Sequence, residues 1–164
     1  MMGQLRTDID AAAVRVEHAV QDLVDFVQRC SETQWRLTTQ EERWTVAATA
    51  RHAADGFAAA DDWIQRFRAG LDVPGSPDTH DMANADHAVT YARVHQRQVI
   101  ELVRRNGVAL AATIRRLSSE DLVKSGAHGP AGGVTLSIDD VLGDTGRHTE
   151  RHLASAREAV NSHP

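Results

Sequence analysis

Four stretches of the sequence repeat apolar residues at the spacing of an α-helix. Residues three and four apart share one helix face, so a sustained repeat of this kind predicts an amphipathic helix. The repeats predict helices over about residues 8–30, 45–69, 83–117 and 137–160, each several turns long. Four helices of useful length, with no sequence repeat between them, predict an all-α four-helix bundle.

The composition supports this fold and limits the partners. Aromatic residues make up only 4% and hydrophobic residues 41% of the 164 residues, which suits closely packed helices in one domain over residues 1–164. The formal net charge of -5, without a basic stripe, argues against a nucleic-acid partner. The sequence lacks a membrane-length apolar run and a signal peptide, and its single cysteine, Cys30, fits a reducing compartment. We therefore expect a cytoplasmic protein without a membrane partner.

The segment over residues 70–82 is the one clear linker, since it holds two prolines and two glycines. Thirteen extended residues span about 43 Å at ~3.3 Å each, whereas a helix of 25 residues is about 37 Å long. The linker is thus long enough to travel the whole bundle. This length predicts that the second and third helices can run parallel, which short turns would forbid.

Two histidines lie on the inward face of the fourth predicted helix. His148 and His152 are four residues apart, which places their Cβ atoms about 5 to 6 Å apart on one face. This is the geometry of a two-histidine metal half-site. His52, near the middle of the second predicted helix and beside small residues, would complete a three-histidine site with positions left open for water or substrate. The alternative, core histidines satisfied by hydrogen bonds, remains open.

Other residues are candidates for the surroundings of this site. Four of them are expected to line a pocket or to contact the ligands, namely Asp55, Trp63, His95 and Asp144. The two carboxylates could accept the second N–H of a ligand histidine, although both positions also suit surface charges. His95 borders the apolar face of the third helix and is favoured over His87. The remaining histidines are expected in solvent, namely His18, His80, His128 and His163.

Motifs of other chemistries are missing from the sequence. It has no Gly-rich phosphate loop, no G-x-S-x-G elbow and no cysteine pair for zinc. The histidine pair reads H-T-E-R-H, not the H-E-x-x-H of metalloproteases. Glu150, between the two histidines, lies about 200° around the helix from His148 and faces away from it.

Two segments carry a resemblance to a known family. "WTVAATARHAADGF" and "IDDVLGDTGRHTERHLASA" resemble the DinB / YfiT-like superfamily of four-helix bundles, and the resemblance covers nearly the whole chain. It implies an up-down-down-up bundle with a long crossover between helices 2 and 3. It also implies a divalent metal held by His52, His148 and His152. Family members include transferases and isomerases that use mycothiol or bacillithiol, and others without an assigned activity.

The sequence therefore favours a metal-dependent enzyme that acts on a small molecule. A zinc-like ion on three histidines would lower the pKa of a bound thiol or water and present the resulting nucleophile to an electrophile. A low-molecular-weight thiol (mycothiol-like) S-transferase is the favoured version. A metal-dependent hydrolase and a non-catalytic ligand-binding or stress protein stay open, as does a homodimer. Zinc is the favoured metal, with nickel, iron, manganese or copper as alternatives.

Overall fold

The computed structural model describes the backbone of residues 2–163 and the side chains of residues 8–163. Within this range the chain forms helices and one small hairpin. In chain order the elements are α1 Met2–Arg29, α2 Glu32–Trp35, α3 Val46–Arg68, α4 Pro77–Thr90, α5 Gln96–Arg115, α6 Ser119–Leu122, β1 Ser125–His128, β2 Val134–Ser137 and α7 Ile138–Asn161. The four long helices α1, α3, α5 and α7 confirm the predicted all-α bundle.

Hydrogen bonds at one end of the bundle fix the directions of the first three long helices. The amide Nε2 of Gln96, the first residue of α5, donates to the carbonyls of Val27 at 2.7 Å and Cys30 at 2.8 Å, near the end of α1. The Oγ1 of Thr45, which caps α3, donates to the carbonyl of Ala92 at 3.0 Å, shortly before α5. α3 and α5 therefore start where α1 ends, so they run parallel to each other and antiparallel to α1.

The last helix returns in the direction of the first. The second half of α7 contacts the segment before α3, through a hydrogen bond of 2.7 Å between Nδ1 of His152 and Oε1 of Glu42. α7 is thus antiparallel to α3. In cross-section α1 and α3 both pack against α5 and α7. The resulting order is the up-down-down-up arrangement implied by the family resemblance.

The crossover from α3 to α5 differs from the extended linker predicted over residues 70–82. Residues 70–76 are irregular, but α4 then covers residues 77–90 with Ser76 as its N-cap and Pro77 in its first turn. The prediction of one long third helix over residues 83–117 is therefore wrong. α4 contains no buried residue and packs on the outside of α3. A helix, not an extended loop, makes much of the crossing.

The break between α4 and α5 is held by side chains from other segments. Residues 92–95 leave the helical path, which frees backbone carbonyls that an unbroken helix would use. The Nε1 of the fully buried Trp35 donates to the carbonyl of Val94 at 2.7 Å, and the hydroxyl of Thr45 donates to the carbonyl of Ala92. These donors come from residues distant in sequence, so the apolar periodicity of residues 83–117 gives no sign of the break.

Small residues let the helices approach closely. The alanines of α3 that face the core are almost fully buried. In α5, a Cβ at Gly107 would collide with Cγ2 of Val20 in α1, so glycine is required by packing. Cys30 is buried as expected, and burial raises the pKa of its thiol to about 11. None of the described helices is both long and apolar enough to cross a membrane.

The hairpin before α7 is the only sheet in the described residues. β1 and β2 pair antiparallel, with Ser125 opposite Ser137 and His128 opposite Val134. Ser137 ends β2 and caps α7, because its Oγ accepts from the backbone N–H of Asp140 at 3.1 Å while Asp140 binds back. This capping box begins α7 at the predicted position. A helix that begins there places His148 and His152 on its inward face.

Candidate metal centre

The structure brings the three predicted histidines together. His52 comes from α3, and His148 and His152 come from the facing side of α7. One ring nitrogen from each lies within 4.8 Å of the other two. The ring centroids are 4.6 Å apart for His148 and His152, and 5.2 Å and 4.8 Å from His52 to His148 and His152. Three imidazole nitrogens at such separations can converge on one divalent ion.

Two of these rings are held neutral by their surroundings. Burial lowers the pKa of His52 to about 3, with further lowering by the neighbouring His152 and His148. Burial also lowers the pKa of His148 to about 4, again assisted by His152. Near neutral pH both rings are therefore uncharged, with a free lone pair on one nitrogen each. A neutral imidazole is the form that binds metals.

The third ring, that of His152, shows the clearest sign of a metal ligand. Nδ1 of His152 donates to the Glu42 carboxylate, so in the neutral ring the lone pair is on Nε2. Among the described residues, that Nε2 is buried and has no hydrogen-bond partner. A buried polar atom without a partner costs about 1 to 3 kcal/mol. A metal ion bound among the three histidines would satisfy it, so the donor set fits a divalent metal.

Glu42 is a residue of the candidate site that the sequence did not reveal. Its side chain is 8% exposed, and its Oε2 accepts from the Ser155 hydroxyl at 2.6 Å. Burial opposes its ionisation, but hydrogen bonds from His152, Ser155 and Thr39 prevail and lower the pKa of Glu42 to about 2. The carboxylate is thus a buried anion that orients His152. Carboxylates commonly hold metal-binding histidines in this way.

A tight turn before α3 places Glu42 against α7. The backbone N–H of Val46 donates to the carbonyl of Leu37 at 2.8 Å, and that of Thr39 to the carbonyl of Trp44 at 2.8 Å. Arg43 has the positive φ of 60° that closes the turn. The only sequence signal for this role is an acidic residue shortly before the Thr45 cap, in a segment without periodicity.

A cavity of about 150 Å³ opens beside the histidines, and three of the four residues predicted to surround the site line it. Asp55, Trp63 and Asp144 line it, together with His52 and His148. The remaining one, His95, is exposed at the N-terminus of α5 and does not reach the cavity. The cause is the break before α5, which removes His95 from the face it would occupy in a continuous helix. Neither Asp55 nor Asp144 has a hydrogen bond to a site histidine, a role that belongs to Glu42.

Histidines that were not predicted to bind the metal also lie near the site. Nε2 of His87 donates to the carbonyl of Ala48 at 3.0 Å, and its ring centroid is 5.3 Å from that of His52. His80, exposed as predicted, lines the cavity. The prediction that His128 is solvated is wrong, because it is 6% exposed and packs edge-on against Trp63 at 4.3 Å. Formation of α4 and of the hairpin causes these placements.

Gly56 leaves the room that His148 occupies, which gives a steric test of the site. A Cβ at residue 56 would lie 2.9 Å from Cε1 and Nδ1 of His148, closer than van der Waals contact allows. We expect Gly56→Ala to turn the His148 ring away and to lower metal affinity at least about tenfold, because ligand orientation sets affinity. The free energy of unfolding of the metal-free protein should change by less than about 1 kcal/mol, since alanine favours the helix by a similar amount.

The matched control for this variant is Gly146→Ala in α7, where a Cβ meets no atom within 4 Å. It should leave metal affinity unchanged. Affinity is measured by competition with a chromophoric chelator, and stability by urea denaturation. Equal metal affinity in the Gly56→Ala variant and the wild type would show that His148 does not bind in its present position.

Acidification should destabilise the metal-free protein through His52 and His148. Their pKa values in the folded state are about 3 and about 4, below the usual 6.5 of the unfolded chain. The unfolded state therefore binds more protons between about pH 6.5 and 4, and stability falls as the pH is lowered through this window. Each histidine contributes up to about 1.4 kcal/mol per pH unit. Urea denaturation in the presence of chelator at pH 7, 6 and 5 measures this loss.

The double variant His52→Gln/His148→Gln separates these two groups from the rest of the protein. It should lose much less stability between pH 7 and pH 5 than the wild type. His18→Gln, at an exposed position of α1, should keep the wild-type pH dependence. Parallel pH profiles for the double variant and the wild type would contradict the neutral, buried state of the two rings.

Known proteins resemble this chain in fold. It superposes on YfiT from Bacillus subtilis, described as a probable metal-dependent hydrolase with an unusual four-helix bundle topology, with a TM-score of 0.79 and 15% identity over 94% of this chain and 86% of that one. It is similar to the mycothiol-dependent maleylpyruvate isomerase, with a TM-score of 0.73 and 14% identity over 90% of this chain. A histidine-to-alanine mutant of that isomerase gives a TM-score of 0.73 at 13% identity over 90% of this chain.

These likenesses differ in how much of each protein they cover. The chain spans 60% of the length of the isomerase and of its mutant. Comparison with curated protein sequences gives no significant match. The sequence model of the DinB superfamily matches residues 15–156, which is most of the chain and includes all three histidines. The protein belongs to the DinB superfamily.

Proposed function

We propose that the protein is a metal-dependent enzyme in which His52, His148 and His152 hold a divalent ion, with zinc as the favoured metal. The observation that carries this proposal is the buried, unpartnered Nε2 of His152, aligned by Glu42 within a group of three histidine nitrogens. Such an ion lowers the pKa of a coordinated thiol or water, which yields a nucleophile at neutral pH.

The surrounding residues have separate tasks in this proposal. Glu42 and Ser155 hold His152, and Gly56 leaves space for the ring of His148. The cavity bounded by Trp63 and Val141 admits the substrate next to the histidines. Three protein ligands leave coordination positions free, which is the pattern of catalytic sites and not of structural ones.

We propose thiol S-transfer as the reaction, with a low-molecular-weight thiol of the mycothiol kind as co-substrate. Support comes from the fold shared with the mycothiol-dependent isomerase and from the open, nitrogen-only donor set. Hydrolysis by an activated water is the second candidate, supported by the likeness to YfiT, which covers most of both chains. A small molecule is the substrate in both cases, and the proposal places the enzyme in the cytoplasm.

The first experiment measures metal in protein purified without chelator. About one equivalent of divalent metal is expected, and less than about a tenth of an equivalent, with no uptake on adding zinc, would overturn the proposal. The loaded protein is then titrated with mycothiol, bacillithiol and glutathione and assayed for thiol conjugation and ester hydrolysis. Conjugation supports S-transfer, and hydrolysis without thiol supports the second candidate. The absence of both activities would overturn the proposal that the protein is an enzyme.

A further inference from the structure

Apart from histidines, the ionisable residues that line the cavity beside the site are both acidic. Its walls are apolar, formed by Ala59, Ala60, Trp63 and Val141, and its ionisable residues besides the site histidines are Asp55, Asp144 and His80. Of the described residues, no lysine or arginine lines it. A site built for a carboxylate or phosphate normally supplies arginine or lysine to the anion.

Three arginines on α3 and α7 lie near the cavity but do not line it. Arg151, on α7 with His148, has a side chain that is 59% exposed and that approaches Glu41 at 4.0 Å. Arg51 pairs with Asp55 at 3.0 Å, but its guanidinium lies over the ring of Tyr91 at 4.2 Å and outside the cavity. Arg147 approaches Asp144 only to 3.8 Å, and its side chain is 74% exposed. Asp144, one turn before His148, lines the cavity with a carboxylate side chain that is 67% exposed. A ligand group that enters beside Asp144 meets negative charge.

We propose that the cavity accepts a substrate whose entering part is uncharged or cationic, with Asp144 as the residue that discriminates against anions. This inference rests on the proposed function, because the substrate must reach the metal held by the histidines. In water, a carboxylate about 4 Å away strengthens the binding of an ammonium group roughly fivefold and weakens that of a second carboxylate by a similar factor. The cavity of about 150 Å³ limits the entering part to a compact group.

The test uses small thiols as probes of cobalt-substituted protein, because a thiolate that binds Co²⁺ gives a charge-transfer absorption band. Cobalt uptake is measured first. The dissociation constants of cysteamine, mercaptoethanol and mercaptoacetate are then determined from the band for the wild type and for Asp144→Asn. The affinity ratio of cysteamine to mercaptoacetate should fall at least about fivefold in the variant. Comparison of ratios between proteins cancels the intrinsic differences among the thiols.

Asp22→Asn is the matched control, since it removes one negative charge from an exposed position of α1 that does not line the cavity. Its ratio should equal that of the wild type. A ratio unchanged by Asp144→Asn, or changed equally by Asp22→Asn, would overturn the inference and leave the proposed metal site standing. A cobalt-loaded protein that binds none of the thiols would also overturn the inference alone. Failure to bind cobalt would overturn both.

Discussion

The His152→Ala variant is expected to lose divalent-metal affinity more than about 100-fold, because loss of a partner that only orients a ligand already costs about 10-fold to 100-fold. The substitution removes the nitrogen whose lone pair is buried and unpartnered. It also leaves the buried Glu42 carboxylate with one hydrogen-bond partner fewer, which should lower the free energy of unfolding by about 1 to 3 kcal/mol. Chelator competition and urea denaturation measure the two effects.

His148→Ala separates metal binding from stability, because among the described residues its ring makes no hydrogen bond that resembles the one from His152 to Glu42. It should lose metal affinity to a similar degree, with a smaller change in stability of the metal-free protein. His18→Ala, at an exposed position of α1, should bind metal like the wild type. A His152→Ala protein whose metal affinity stays within about tenfold of the wild type would contradict the three-histidine site.

Glu42→Gln should lower metal affinity about 10-fold to 100-fold although Glu42 is not itself among the grouped histidines. The amide keeps the shape of the side chain but removes the negative charge that draws the Nδ1 proton of His152 and strengthens Nε2 as a ligand. Its NH₂ group must also replace an oxygen opposite the Ser155 hydroxyl. The pKa of Glu42, about 2, indicates that the charged form is present throughout the neutral range.

Two controls distinguish orientation of the ligand from general stability. Ser155→Ala removes one hydrogen bond of Glu42 and keeps that to His152, so it should cost about 1 kcal/mol of stability with little change in metal affinity. Glu41→Gln makes the same charge change at an exposed neighbour and should change neither. If Ser155→Ala and Glu42→Gln lower metal affinity equally, Glu42 acts through packing and not through His152.

Local patterns in the sequence were sufficient for α1, α3 and α7 and for the grouping of the three histidines. The apolar spacing and the caps at Thr45 and Ser137 are short-range features, and the structure keeps them. His148 and His152 share a face because four residues make slightly more than one turn. The position of His52 opposite them followed from its place in the middle of α3 together with the family resemblance.

The features that escaped the sequence depend on contacts between distant residues. The break before α5 is stabilised by Trp35 and Thr45, and apolar spacing on both sides of it predicted a continuous helix instead. Glu42 reaches His152 across 110 residues, so no local spacing relates the two. His128 is buried only because the hairpin places it against Trp63. Periodicity describes single elements and carries little information about such pairings.

The long sequence separation within the site links metal binding to folding. Glu42, His52 and His152 come together only when the turn before α3 and the last helix have docked. An ion that requires all three histidines therefore binds the folded bundle and not the unfolded chain. It stabilises the fold by about 2.7 kcal/mol when its free concentration is 100 times the dissociation constant. With one cysteine in the chain, an internal disulfide is not available, and an ion bound to the three histidines would crosslink the two halves of the sequence.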